Sequence, residues 1–442
     1  MNMFSLTFIF IFLPMALTLY YITPNKFKTH ILTVISLIYY VLVSVKGLPY
    51  ILLSIFFDYF CAIYLSRNHS TYIMRKIAVT ADIIKNLVVL LYFSIEFQKI
   101  GYFSLFGIIY TSFMGMGYVI DVYKYEYQAD KNIFRFLSIM MFFPSLYFGP
   151  LVKYSLIKPQ LTKIKPSLSS ISKGIILFIS GFSKKIIIAD TMVKMYENML
   201  SIPFHNLSVL SAWLLMISFA FSLYFTLSAY FDIAKGIGLM FSFELPSGFF
   251  YPFQARSLDD FFARFNITVN EYVRNYVYIQ LGGKSNGTIS AMFNILLVSM
   301  LIGVWYGFRL NCLLWGIYFG ILIILEQYLY PNFWKNIPIF LQRTITFCAT
   351  MMSFSIMLGT NIEDTGIYLK TMFGFGEVAL YDTYSLYMLT SNFVVLILSF
   401  LICTSIWHRI SRYLSKKMPV CWEVFSVIFN IGILICACSL II

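Results

Sequence analysis

In a chain of 442 residues that is 60% hydrophobic and only 12% charged, the side chains able to do chemistry crowd into one stretch. Between positions 232 and 288 lie Asp232, Lys235, Glu244, Arg256, Asp259, Asp260, Arg264, Glu271, Arg274 and Lys284. Unsatisfied backbone and bare charge are costly at membrane depth, so such a segment cannot face lipid. It lies at an interface or lines a polar cavity. In the first case its acids and bases simply pair, as Asp260 and Arg264 would at helical i,i+4 spacing. In the second they bind or orient a polar ligand, as polar groups kept inside membrane proteins do. The composition allows both.

Other chemistries find little support. The seven cysteines (Cys61, Cys312, Cys348, Cys403, Cys421, Cys436 and Cys438) are scattered, mostly through apolar runs where Cys behaves as a small hydrophobe. Cys436 and Cys438 have no His or acid beside them, so neither a metal site nor a disulfide is expected. The formal charge of +13 points to anionic lipid headgroups rather than nucleic acid, because Lys and Arg gather in the cytoplasmic loops of membrane proteins.

The elements that must position the polar stretch are apolar helices. A spanning helix needs about 20 predominantly apolar residues. Candidate windows are 3–22, 31–45, 48–65, 77–95, 102–120, 134–150, 174–192, 207–231, 290–308, 312–329, 341–359, 388–406 and 423–442. Some should be re-entrant or interfacial, leaving roughly eleven or twelve crossings in one integral membrane domain. The first window has neither a basic n-region nor a small-residue cleavage signal, and is read as a retained span. Lys26 and Lys28 assign the loop after it to the cytoplasm. The basic groups Lys153, Lys158, Lys163, Lys165 and Lys173, and Arg409, Arg412, Lys416 and Lys417, read the same way.

The wording of the polar stretch adds a resemblance. SAYFDIAKGIGLMFSFELPSGFFYPFQARSLDDFFARFNITVNEYVRNYVYIQLGG (228–283) resembles the core of bacterial membrane-bound O-acyltransferases. It is most like the alginate and peptidoglycan O-acetyltransferase membrane subunits, with the teichoic-acid D-alanylation protein as a cousin. YVIDVYKYEY (118–127), FFPSLYFGPLVKYSLIKPQL (142–161), GIILFISGFSKKIIIAD (174–190), the segment 294–326 and TNIEDTGIYLKTMFG (360–374) follow in family order. The family-like core thus covers 118–374, with the catalytic-type region at 228–326, N-terminal helices over 1–117 and C-terminal helices over 375–442. The resemblance implies an all-α polytopic fold with re-entrant helices around a central polar tunnel, in the plasma membrane. It also implies transfer of an acyl group, acetyl above all, from acetyl-CoA or a carrier-protein thioester to a cell-envelope polysaccharide. No bound cofactor is implied; an extracytoplasmic hydrolase-like partner is.

Two departures fall on the chemistry. Where the family has Trp-His the chain reads Phe265–Asn266, and where it has Leu-Trp-His-Gly the chain reads Val304–Trp305–Tyr306–Gly307. An Arg common before the late segment falls on Gly359. His30, His69, His205 and His408 all lie outside the core boxes. An imidazole titrates near pH 6.5 and suits a general base; a phenol near 10 and a carboxamide do not. Tyr306 can donate to a developing oxyanion, or serve as a base if Arg256, Arg264 or Arg274 lowers its pKa. Asp232, Arg256, Arg264, Arg274 and Trp305 are the candidate substrate-binding residues. Asn266 and Tyr306 are expected to face one another across the tunnel. Three readings stay open: an acyltransferase with a rearranged site, a pseudoenzyme acting as a binding or scaffold subunit, and a transporter, which the ordered boxes disfavour.

Overall fold

The computed structural model describes all residues except 68–70, 101–106, 148, 163–166, 360 and 442. His69, Lys163 and Lys165 therefore lie outside the described residues. The described chain is predominantly helical, its one β-type pairing being an isolated bridge between Phe249 and Phe265.

Among the described residues, seven helices are long and apolar enough to cross a membrane, and eight if a bent pair counts as one span. These are Asn25–Val43, Leu48–Leu65, Val209–Met240, Thr288–Tyr306, Leu310–Leu329, Ile339–Leu358 and Pro419–Ser439. The bent pair, Thr383–Ser391 and Phe393–Ile402, turns by 57° at Asn392. The window 102–120 lies partly outside the described residues, and two other expected windows are interrupted locally. The window 134–150 breaks into the short helix Ile133–Met140 and a 3-10 turn at Phe143–Ser145 around Pro144. The window 174–192 carries Lys184, Lys185 and Asp190, and Lys185 pairs with Asp190 across a π-helical turn.

The described chain packs as two compact units. One comprises residues 1–182, 230–247 and 441; the other comprises 183–229 and 248–440. In the first, the boxes 118–127 and 142–161 meet at buried Asp130. Its carboxylate accepts from Arg135 Nε and Nη2 at 2.6 and 2.5 Å, Tyr154 Oη at 2.9 Å and Asn132 N at 3.0 Å. Lys158 Nζ stands 3.5 Å away, and Tyr118 Oη accepts from the Asp130 backbone N–H at 2.7 Å. Burial alone would raise the Asp130 pKa, but these donors and the lysine hold it below the usual carboxylate range.

In the second unit, helices Thr288–Tyr306 and Leu310–Ile324 form a hairpin around Gly307. Their approach is set by glycine. A Cβ on Gly303 would fall 2.3 Å from the Cys312 carbonyl oxygen, and one on Gly316 the same distance from that of Ser299. Small residues are how helices close on one another where lipid offers no hydrophobic drive. Polar anchors complete the frame: Trp315 Nε1 donates to Ser353 Oγ at 3.1 Å, and Asn311 Nδ2 donates to the Gly359 carbonyl.

Two outcomes follow. Gly316→Leu should lower stability by about 1–3 kcal/mol through overpacking, whereas Gly432→Ala, with nothing within 4 Å of the added Cβ, should not; thermal unfolding in detergent compares them. Asp130, with its folded-state pKa depressed, contributes stability that is present above the unfolded value near 3.9 and lost as pH falls through the lower folded value. Asp130→Asn should therefore lower the unfolding temperature at pH 7 and flatten its decline in acid.

Candidate active site

The site begins with a corner. Helix Leu258–Arg264 starts at Ser257, whose side chain accepts from Asp260 N at 2.9 Å, and Glu326 Oε2 accepts from the free Leu258 N–H at 3.0 Å. After Arg264 the backbone turns extended at Phe265, left-handed at Asn266 (φ 53°, ψ 54°), then helical again over Ile267–Val273. Asn270 fixes that turn, its Nδ2 donating to the carbonyls of Phe262 and Phe265 at 2.5 and 2.6 Å. Phe250 N to Arg264 O (2.9 Å) and Ile267 N to Gly248 O (2.8 Å) tie the corner to the preceding loop. Asn and His are both several-fold enriched at positive φ among non-glycine residues. The backbone thus accounts for an Asn at a position where the resembled pattern has His.

From this corner Asn266 Nδ2 donates to Tyr306 Oη at 3.2 Å. Tyr306 is the last residue of its helix, so the Gly303–Gly316 approach sets where the phenol stands. The two positions singled out by the resemblance, 40 residues apart, are in direct contact rather than separated by a gap. Asn266 is only 5% exposed, and its Oδ1 has no hydrogen-bond partner among the described residues. Aromatic rings wall the pair: Trp315 and Phe265 lie 5.3 and 6.3 Å from the Tyr306 ring, and Phe262 and Phe319 pack against Trp315.

The other candidates separate. Arg264 Nε pairs with Asp260 Oδ1 at 2.7 Å, the i,i+4 pairing that the spacing allows, and its guanidinium lies over Phe250. Arg256 and Arg274 are exposed, and the Arg256 N–H donates to Asp260 Oδ2 at 3.0 Å. Trp305 is partly exposed beside Tyr306. Asp232 belongs to the first compact unit, whereas Asn266 and Tyr306 belong to the second. Gly282 and Gly283 form a turn, with φ of 89° and 52°. No described histidine touches the pair: His30 packs on Phe134, His205 sits in the turn Phe204–Asn206, and His408 contacts Arg412.

Sequence reasoning missed Asn270 and Glu326. Glu326 is the one charge in the window 310–329, and Asn270 stands i,i+4 from Asn266. Both were visible as polar residues out of place. The partners shown above are backbone groups far along the chain or across a turn, which no spacing rule points to.

Chemically, the pair offers a phenolic O–H free to donate onward and an open amide oxygen. Neither group has an ordinary pKa near neutrality. It can hold a polar carbonyl and hydroxyl, and it supplies no imidazole-like base.

Residues 124–365 match the membrane-bound O-acyltransferase family. A probable alginate O-acetylase of Pseudomonas fluorescens is 28% identical over 381 residues, covering 85% of this chain and 76% of that protein. A peptidoglycan O-acetyltransferase of Helicobacter pylori is 26% identical, covering 84% of this chain and 80% of its own length. A teichoic acid D-alanyltransferase of Bacillus subtilis is 25% identical over half of this chain and 58% of its own. With a match over more than half its length and several apolar helices able to span a bilayer, the chain belongs to the membrane-bound O-acyltransferase family as a multi-pass membrane protein.

Proposed function

We propose that this protein takes part in O-acyl transfer, most simply acetylation, to a hydroxyl of a cell-envelope polysaccharide, with Tyr306 as electrophilic hydrogen-bond donor. The carrying observation is the hydrogen bond between buried Asn266 and half-buried Tyr306, which joins the two chain segments whose order resembles the acyltransferase core. The relatives, named as alginate and peptidoglycan O-acetylating proteins, support the reaction class and the acceptor class.

In this reading a thioester, from acetyl-CoA or a carrier protein, reaches the pair through the family's polar tunnel. Tyr306 O–H donates to the thioester carbonyl oxygen, where negative charge grows as the acceptor hydroxyl attacks. Asn266 Oδ1, buried and open to a ligand, accepts from that hydroxyl and orients it. The C–O bond forms, the C–S bond breaks, and the hydroxyl proton ends on the departing thiolate. Exposed Arg256 and Arg274 suit the anionic groups of the donor. Arg264, held by Asp260, keeps the corner in register, and Trp305 lines the approach. An extracytoplasmic hydrolase-like partner would present the glycan hydroxyl to the pair.

Lacking a base with a pKa near neutrality, such a site runs slower than an imidazole site by about 10²–10⁴-fold. A second reading has its own observation: each side chain spends a hydrogen bond on the other, which suits a binding or scaffold subunit that no longer turns over.

Thioester cleavage of acetyl-CoA by protein reconstituted in bilayers separates the two. Slow turnover in the wild type, lost in Tyr306→Phe and increased in the double variant Asn266→His/Tyr306→His, is the expected result. A silent wild type with an active double variant would establish the scaffold reading instead.

A further inference from the structure

A buried polar cluster lies in the first compact unit, between Leu48–Leu65, one of the helices able to cross a membrane, and its neighbour Tyr72–Ile100. Helix Leu48–Leu65 supplies Ser54 and Asp58, and helix Tyr72–Ile100 supplies Asp82, Lys85 and Asn86. Asp58, Asp82 and Asn86 are wholly buried. Lys85 Nζ contacts Asp58 Oδ1, donates to Ser54 Oγ at 2.9 Å, Ser54 O at 3.2 Å and Asn86 Oδ1 at 3.0 Å, and stands 3.9 Å from Asp82 Oδ1. Asn86 Nδ2 bridges the acids, at 3.2 Å from both Asp58 Oδ1 and Asp82 Oδ2.

Counting charge and hydrogen bonds gives the same deficit. Two carboxyls face one ammonium, so full ionisation leaves one uncompensated negative charge out of contact with water, which is costly. Two oxygens, Asp58 Oδ2 and Asp82 Oδ1, are buried and accept no hydrogen bond from the described residues. The shared Asn86 donor, 3.2 Å from one oxygen of each acid, sets the two carboxyls side by side. A single proton cures both faults: it neutralises the excess charge and turns one carboxyl into a donor to the other. Little room remains for anything larger. The third helix, Ile108–Tyr123, turns Gly115 onto this spot, where a Cβ would fall 2.0 Å from Asp58 Oδ2. Among the described residues Cys61 also faces the acids, its Sγ 3.4 Å from the Ala78 carbonyl. Lys85 keeps 19% of its side chain accessible, so the cluster is not sealed from the protein surface.

We infer that Asp58 and Asp82 together bind one exchangeable proton, held as an acid–carboxylate pair and balanced by Lys85, making the N-terminal helices an intramembrane proton-binding site. The site shares no residue with the Asn266–Tyr306 pair and belongs to the other compact unit.

Infrared difference spectroscopy of the reconstituted protein at pH 7 tests it, reading wild type minus variant so that other protonated carboxyls cancel. The expected spectrum has one protonated-carboxyl stretch that shifts in deuterated water and is lost in both Asp82→Asn and Asp58→Asn. Lys85→Met, with the compensating charge gone, should show about twice the wild-type intensity, as both acids then hold protons. Melting curves identify any variant that fails to fold, and Lys85→Met keeps the test alive if an Asn variant does. A wild-type band unchanged in the Asn variants, or one that appears only when sodium is withdrawn, would overturn the proposal.

Discussion

The contact between Asn266 and Tyr306 is where the demands on the second unit converge. Tyr306 ends a helix whose position is set by backbone-to-backbone approach at Gly303 and Gly316, and Asn266 sits at a left-handed corner between two short helices. A hydrogen bond of 3.2 Å between such unlike elements requires both to be held within a few tenths of an ångström. Asn270 holds the corner by capturing the Phe262 and Phe265 carbonyls, and Glu326 holds the helix before it by capturing an otherwise orphaned N–H. The aromatic wall of Phe262, Phe265, Trp315 and Phe319 then excludes alternatives by volume. Each of these devices satisfies backbone or polar atoms that a lipid environment would leave bare.

Much of this was legible in sequence, though unevenly. The apolar windows identified the membrane class because composition alone sets it. The pairing of Asn266 with Tyr306 followed from the resemblance of two separated boxes, not from any spacing rule. The Asp260–Arg264 pair followed from local geometry. Crossings were harder, because a hydropathy window averages over features that decide geometry: Pro144 ends one window early, and Asn392 bends another. The cluster of Asp58, Asp82 and Lys85 was illegible for a related reason. In a linear reading each charge is an isolated exception in its window, and only packing of one helix on the next shows them sharing hydrogen bonds.

The two buried polar sites solve one problem in opposite ways. At Asn266 and Tyr306 the chain uses neutral groups, which need no counter-charge and leave an open amide oxygen for a ligand. At Asp58 and Asp82 it uses ionisable groups, balanced by a lysine and by the one proton inferred to lie between them. A neutral pair orients and polarises without titrating; an ionisable pair stores charge. That division explains how a chain with no described histidine at its central pair keeps a polar site intact in an apolar surround.

If the site works without a group titrating near neutrality, the pH dependence of acetyl-CoA thioester cleavage shows it most directly. The predicted rate stays flat between about pH 5.5 and 8, since neither a phenol nor a carboxamide changes protonation there. A rate that falls as pH drops through about 6.5 would reveal an imidazole-like base elsewhere in the mechanism and contradict the neutral pair.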